Sequence, residues 1–314
     1  MASSENLEEA PGDDCGGICL TFRKDNEVFE PVMSVLRSKK WGIYGPTSFQ
    51  GYAKKNGLTV PRTAEYISVD HMERLNSLLR REQAMVLRLG TAVDGPGTQF
   101  AVVKTPNRLH DYFLLEEQCF TETHPVTYLP SVSFRNLFPY YIFPKRTETS
   151  MVNLAFASGL IGHALNLDKP FPVAAPATGN STYTFRFYAH SEHPVELVHI
   201  NGQVEIDAVF VGSRRGKDCL FILESKSGAN KSLAKHKLVY PVLALAPYAP
   251  ADMPIIPVYL KVQQTEMNVC YHVVECAFPD LRRKVRSLNE LTVVSHRCLS
   301  LPLPQVVWDN KHFQ

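Results

Sequence analysis

Apolar positions recur with a helical period through much of the first third of the chain and with strand character through the second half. From 28 to 90 the spacing predicts helix. The strongest stretch is Val69–Leu89, where Met72, Leu75, Leu78, Leu79, Met85, Val86 and Leu89 fall near a repeat of about 3.6 residues. Arg74, Arg81 and Arg88 recur every seventh position on the other side, as a solvated face or as a stripe facing phosphates. Ser48 to Thr63 carries the spacing of a helix–turn–helix unit or of an ordinary helical hairpin, with Gly57 as a left-handed cap. Residues 91–150 are mixed. Ala101-Val-Val and Tyr112-Phe-Leu-Leu read as short strands. Ser133 to Arg146 is aromatic with flanking bases, which suits stacking on bases or packing at a domain junction.

The second half is more ordered. Met151–Leu167 predicts an apolar helix. Strands follow at Val195–Ile200 and Val204–Val211, with Asn201-Gly202 between them as a tight-hairpin signal. A third strand is predicted over Leu220–Lys226, a helix over Lys231–Ala246 despite Pro241, and strands over Ile255–Val262 and Val269–Phe278. The element order is α-β-β-β-α-β. The polar turn Ser213-Arg-Arg-Gly-Lys217 folds the strand carrying Asp207 back on the strand carrying Glu224-Ser-Lys226. Side chains alternate faces along a strand, so Glu224 and Lys226 share one face. Two carboxylates and one ammonium thus converge in an otherwise apolar sheet.

Composition adds bounds. At 314 residues, two domains are the starting expectation, split near residue 150 after an acidic, disordered tail over residues 1–20. Hydrophobic content of 45% with 20% charge is that of an ordinary globular protein. No apolar run of membrane-spanning length and no secretory leader are visible, so no membrane partner is expected. A net charge of +2 does not by itself announce nucleic acid, but the acidic residues Glu5, Glu8, Glu9, Asp13 and Asp14 leave a more basic body behind them. Seven cysteines without a framework suit a reducing, cytoplasmic setting. Cys15 with Cys19 and Cys270 with Cys276 lack matching second pairs, so no zinc site is expected.

An Asp on one core strand and Glu-x-Lys on the next resembles the PD-(D/E)XK nuclease superfamily, which holds many restriction endonucleases and Holliday-junction resolvases. Asp207, Glu224 and Lys226 fill the three positions, and Ile206 stands where the family name has Pro. The resemblance covers roughly residues 150–314 and implies a restriction-endonuclease-like α/β core with a mixed sheet. Residues 21–149 would form a mainly helical recognition or accessory domain. It implies a Mg²⁺-dependent endonuclease, with Mn²⁺ as a substitute, that hydrolyses DNA to 5′-phosphate and 3′-hydroxyl ends. Asp207, Glu224 and the backbone carbonyl of Ser225 would hold the metal, since Mg²⁺ takes oxygen ligands. Lys226 would activate water and stabilise charge. Glu205, on the face of Asp207, is an extra ligand or a carboxylate that holds a water. Some relatives take a further Glu from the first core helix; here Glu148, just before it, is the nearest. Lys231 and Lys235, one helical turn apart, with His236 and Lys237 alongside, are placed to hold phosphates or form a solvated basic turn. DNA is the implied partner, and a homodimer is an assembly open to such an enzyme. Three other readings stand beside this one: an ion-pair ladder on neighbouring strands, a binding protein that keeps the fold without catalysis, and an RNA-directed nuclease.

Overall fold

A mixed sheet of ten strands frames the protein. The computed structural model describes residues 27–59, 62–122, 124–143, 146–168, 174–265, 267–280, 282 and 284–303. The expected acidic tail, with Cys15 and Cys19, lies outside these residues. At one end of the sheet stand β1 (Gly42–Ser48), β3 (Thr98–Lys104) and β2 (Ala84–Thr91), in that order and antiparallel. A single parallel bridge, Gly90 to Ile200, joins β2 to β7 (Glu196–Arg214). The sheet continues through β8 (Lys217–Ser227), β10 (Ile255–Gln264), β11 (Asn268–Ala277), β12 (Thr292–Pro302) and the short β5 (Val126–Thr127), while β6 (Ala177–Tyr188) pairs with β7. A two-stranded ribbon of β4 (Phe113–Leu115) and β9 (Ser232–Ala234) lies apart from it.

Helices cover both faces of the C-terminal strands. On one face α6 (Phe134–Tyr141), α7 (Glu148–Ala157) and α8 (Leu160–Ala164) bury Leu137, Leu154 and Ile161 against Phe221, Leu223, Tyr271 and Leu301. On the other, α9 (His236–Leu245) packs Leu238 and Val239 over Ile222 and Tyr259. β8 and β10 are parallel, and α9 is the crossover that such a pair requires. Among the described residues no helix is long and apolar enough to cross a membrane.

The N-terminal half departs from its periodicity. Helices there are short: α1 over residues 27–36, α2 (Phe49–Lys55), α3 (Thr63–Ile67) and α4 (Ser77–Arg81). The helix expected over Val69–Leu89 is instead a 3₁₀ turn, α4 and then β2. Gln83, with φ 55°, ends the helical path. From Ala84 to Leu89 the apolar run is near-continuous and, apart from Arg88, buried, and such a run does not distinguish a buried strand from a helix. Arg74, Arg81 and Arg88 therefore sit on three different elements and form no stripe. The expected boundary near 150 is also crossed: Phe29, Leu79 and Phe100 share one core with Phe187, Leu197 and Leu238. The described residues before 150 do not pack as a unit of their own.

Asn201-Gly202 makes a bulge inside β7, not a hairpin. The pairing shifts between Tyr183 and Phe185, and Asn201 takes φ 42°, which Asn tolerates. The tertiary reason is contact with β2. A Cβ on Gly202 would stand 2.6 Å from the Cα of Gly90, and one on Gly90, with φ +82°, would stand 2.3 Å from the carbonyl oxygen of Ile200. The two chains cross where neither has a side chain. Gly90→Ala is expected to lower stability by about 3–5 kcal/mol, from backbone strain plus a clash that only main-chain movement relieves. Urea unfolding with an unchanged midpoint would show that the strands do not meet there.

Candidate functional site

The site lies where β7 and β8 part. Their antiparallel ladder runs from Arg214 opposite Lys217 to Ala208 opposite Leu223. One step further, Asp207 faces Glu224. From there β7 pairs with β6 and, at the single Ile200–Gly90 bridge, with β2, and the β7-facing edge of β8 beyond Glu224 loses its backbone partner. Two carboxylates take over. Asp207 accepts the Ser225 N–H at Oδ2 (2.8 Å), and Glu148 accepts the Ser227 N–H at Oε2 (2.6 Å). In an extended strand a residue's N–H and C=O leave on the same side. The Ser225 carbonyl therefore emerges beside the Asp207 carboxylate.

Glu148 arrives from the opposite side of the sheet. It is the first residue of α7, which begins three residues earlier than the apolar pattern predicted because Thr147 caps it, its Oγ1 accepting the Ser150 N–H. Glu148, Asp207, Glu205, Ser225 and Asn180 of β6 line a cleft of about 420 Å³. Glu148, the carboxylate nearest before the helix expected from Met151, thus stands at this cleft.

Glu224 is 2% exposed. Its Oε1 lies 2.7 Å from the Lys226 Nζ and 3.5 Å from the Lys237 Nζ. Burial pushes its carboxyl up to about 7, against the pull of Lys237 and Lys226, with the negative charge of Asp207 adding to the rise. Lys226 is raised as well. Burial alone would lower its proton affinity, but Glu224, Asp207 and Glu148 together hold it above the ordinary lysine range. Glu224 is the more enclosed of the two, so the carboxylate is the partner left short of compensation.

The three basic positions separate. Lys237 belongs to the site, between Glu224 and Asp70. Lys231 is exposed on the turn before β9. Lys235 points elsewhere. Its Nζ reaches the Asn289 carbonyl (3.4 Å), and burial lowers its proton affinity. Residues two apart on a helix do not share a face, which is why Lys235 and Lys237 diverge. Sequence reasoning missed Asp70 and placed His236 only alongside the lysines. Together with Arg88, Gln203, Glu205 and Lys237 they line a second cleft of about 260 Å³ on the α9 side. His236 is half-buried and held down to about 3, by its partial burial first and by Lys237 next, so it is a neutral imidazole at ordinary pH. No local signal marks Asp70, which reaches the cleft through packing between distant segments.

An all-oxygen set of carboxylates and a carbonyl suits a hard divalent cation. A buried carboxylate whose proton affinity is raised gains from such an ion more than a solvated one does.

A family model described as a domain of unknown function, DUF6997, matches residues 116–297, a span that contains Glu148, Asp207, Glu224, Lys226 and Lys237. No curated protein and no solved structure matches the chain.

Proposed function

We propose that this chain, which belongs to the DUF6997 family, is a Mg²⁺-dependent endonuclease of the restriction-endonuclease type acting on DNA. One observation carries the reading. Asp207 stands opposite Glu224-Ser225-Lys226 at the point where two core strands separate, with Lys226 2.7 Å from Glu224 and Asp207 on the Ser225 N–H. The order α7, β6, β7, β8, α9, β10 supports it, being the α-β-β-β-α-β order of PD-(D/E)XK cores. That order uses β6, a strand the apolar pattern did not announce, in place of the expected Val195–Ile200 hairpin arm.

Asp207, Glu224 and the Ser225 carbonyl would hold the ion, with Glu148 and Glu205 close enough to hold water. When bound, the ion lowers the pKa of water and draws charge from the phosphate. Lys226, kept charged by three carboxylates, orients the attacking water and stabilises the charge that grows on the phosphate oxygens. Lys237 keeps Glu224 from being wholly uncompensated. On α6, one loop before Glu148, Phe134 and Phe138 are exposed, and Phe143 just past it is too. They offer ring faces to unstacked bases.

The test is cleavage of duplex DNA, single-stranded DNA and RNA by the purified chain. Mg²⁺ or Mn²⁺ should support cutting and a chelator should stop it. Ca²⁺ should support binding with little cutting, because it tolerates looser geometry and activates water less. Undiminished cutting in excess chelator would overturn the proposal, and cutting of RNA alone would change the substrate.

A further inference from the structure

A second cluster of ligating side chains lies on the same face of the sheet, away from the carboxylates. Cys270 and His272 are alternate residues of β11, and Cys298 is on β12 directly opposite His272. Their donor atoms converge. The two Sγ atoms are 3.4 Å apart, and the His272 Nε2 lies 3.8 Å from Cys270 and 3.9 Å from Cys298. A tetrahedral zinc ion with ordinary bond lengths separates two sulfurs by about 3.8 Å and sulfur from nitrogen by about 3.6 Å. The three atoms already stand at roughly those spacings. We propose that Cys270, His272 and Cys298 form a binding site for a soft divalent metal ion, zinc by its chemistry, with the fourth position left to water.

The surroundings fit a metal ligand set. The His272 Nδ1 lies 3.1 Å from the His296 Nε2, an outer partner that orients the ring; with a metal on the His272 Nε2, Nδ1–H would be the donor in this contact, and the Glu122 N–H would give up its bond to the His296 Nδ1. Phe120 stacks on His272 at 4.2 Å and on His296 at 4.9 Å. Glu122 closes the shell, its backbone N–H reaching the His296 Nδ1 and its carboxylate accepting the Cys298 N–H. Thiolates and imidazole select zinc over Mg²⁺ or Ca²⁺. A disulfide is the competing fate of two close cysteines. Cys270 stands opposite Ser300, however, so it is diagonal to Cys298. Diagonal residues are roughly 7–8 Å apart at Cα, beyond the roughly 4.4–6.8 Å that a disulfide spans.

The ion would not join the phosphodiester chemistry. Lys226, Lys261, His272 and Cys298 are register partners across β8, β10, β11 and β12. Strand spacing therefore puts His272 about 10 Å from Lys226, against about 4 Å between the ions of a two-metal centre. Its effect is to fix the segment that carries Phe120 and Glu122. The same segment supplies Glu116, which pairs with the buried Lys261 at 2.8 Å. The expectation from spacing looked at Cys270 with Cys276, and the true partner is Cys298, because strand pairing and not sequence distance brings the sulfurs together.

The experiment is Co²⁺ titration of the reduced, metal-stripped full chain. One equivalent should raise thiolate-to-cobalt charge-transfer and tetrahedral d–d bands, which Zn²⁺ then abolishes. Cys270→Ser and His272→Asn should lose these bands. The double variant Cys15→Ser, Cys19→Ser should keep them. His296→Ala should weaken Co²⁺ binding about 10–100-fold, as loss of an outer partner does. Should the buried Cys298→Ser fail to fold, the half-exposed Cys270 and His272 variants decide. No thiolate band at stoichiometric Co²⁺, bands that survive in both of those variants, or a Cys270–Cys298 disulfide that forms readily would each overturn the proposal.

Discussion

Lys226→Ala and Asp207→Asn should each cut the rate of Mg²⁺-dependent cleavage by about 10²–10⁴-fold, the range over which a single positioned acid–base or charge-stabilising group acts. The two variants fail for different reasons. Asn at 207 can still accept the Ser225 N–H, so the parting of β7 and β8 is kept, but the negative charge that attracts the ion is gone. Ala at 226 leaves the carboxylates in place and removes the ammonium 2.7 Å from Glu224. Ion binding should therefore survive in Lys226→Ala and weaken in Asp207→Asn. DNA affinity should change little in the first, since one lysine is a small part of the electrostatic term. Without metal it should hold or rise in the second, where a charge facing phosphate has been removed. Single-turnover cleavage beside binding at several salt concentrations separates these effects. Wild-type cutting by both variants would leave an ion-pair ladder as the meaning of the cluster.

Glu224→Gln should abolish cleavage and, without metal, stabilise the protein at pH 8. The sign follows from linkage. The carboxyl is raised from an unfolded value of 4.5 to about 7, so the folded state favours its protonated form. The contribution of this group to stability is complete below about pH 4.5 and is lost as pH rises through about 7. Gln mimics the protonated carboxyl at every pH. The gain should be on the order of 1–3 kcal/mol at pH 8 and close to zero at pH 4.5. Mg²⁺ should reverse the order, since binding to the ionised carboxylate stabilises the wild type by mass action and leaves the variant unmoved. Thermal unfolding of both proteins at two pH values, with and without Mg²⁺, measures all four quantities. A variant less stable than wild type at pH 8 without metal would mean that the lysines compensate Glu224 in full.

The heart of the site was legible because it is local. Arg215 and Gly216, both with positive φ, form the two-residue turn of a hairpin. Counting back from that turn puts Asp207 opposite Glu224 without any long-range information. α9, β10 and β11 were legible for the same reason, as short apolar runs bounded by Pro, Gly and charge, whereas β9, inside the expected helix, and β12 were not. β6 was not, since its first half is Thr, Gly, Asn and Ser, exposed on both faces, and its strand state comes from pairing with β7.

The sequence by itself determined the hairpin, its register, and hence the juxtaposition of Asp207 with Glu224 and Lys226. Those follow from turn chemistry and from the two-residue alternation of strands. Tertiary structure alone decided what joins them. Glu148 reaches Ser227 across 79 positions of chain. Lys237 is chosen over Lys235 by the rotation of α9 on the sheet. β2 is a strand because it pairs antiparallel with β3 from Ala84 to Arg88. Cys298 meets Cys270 only through the β11–β12 ladder. Each of these depends on surfaces buried between distant segments, where packing outweighs the weak local preferences that a sequence displays.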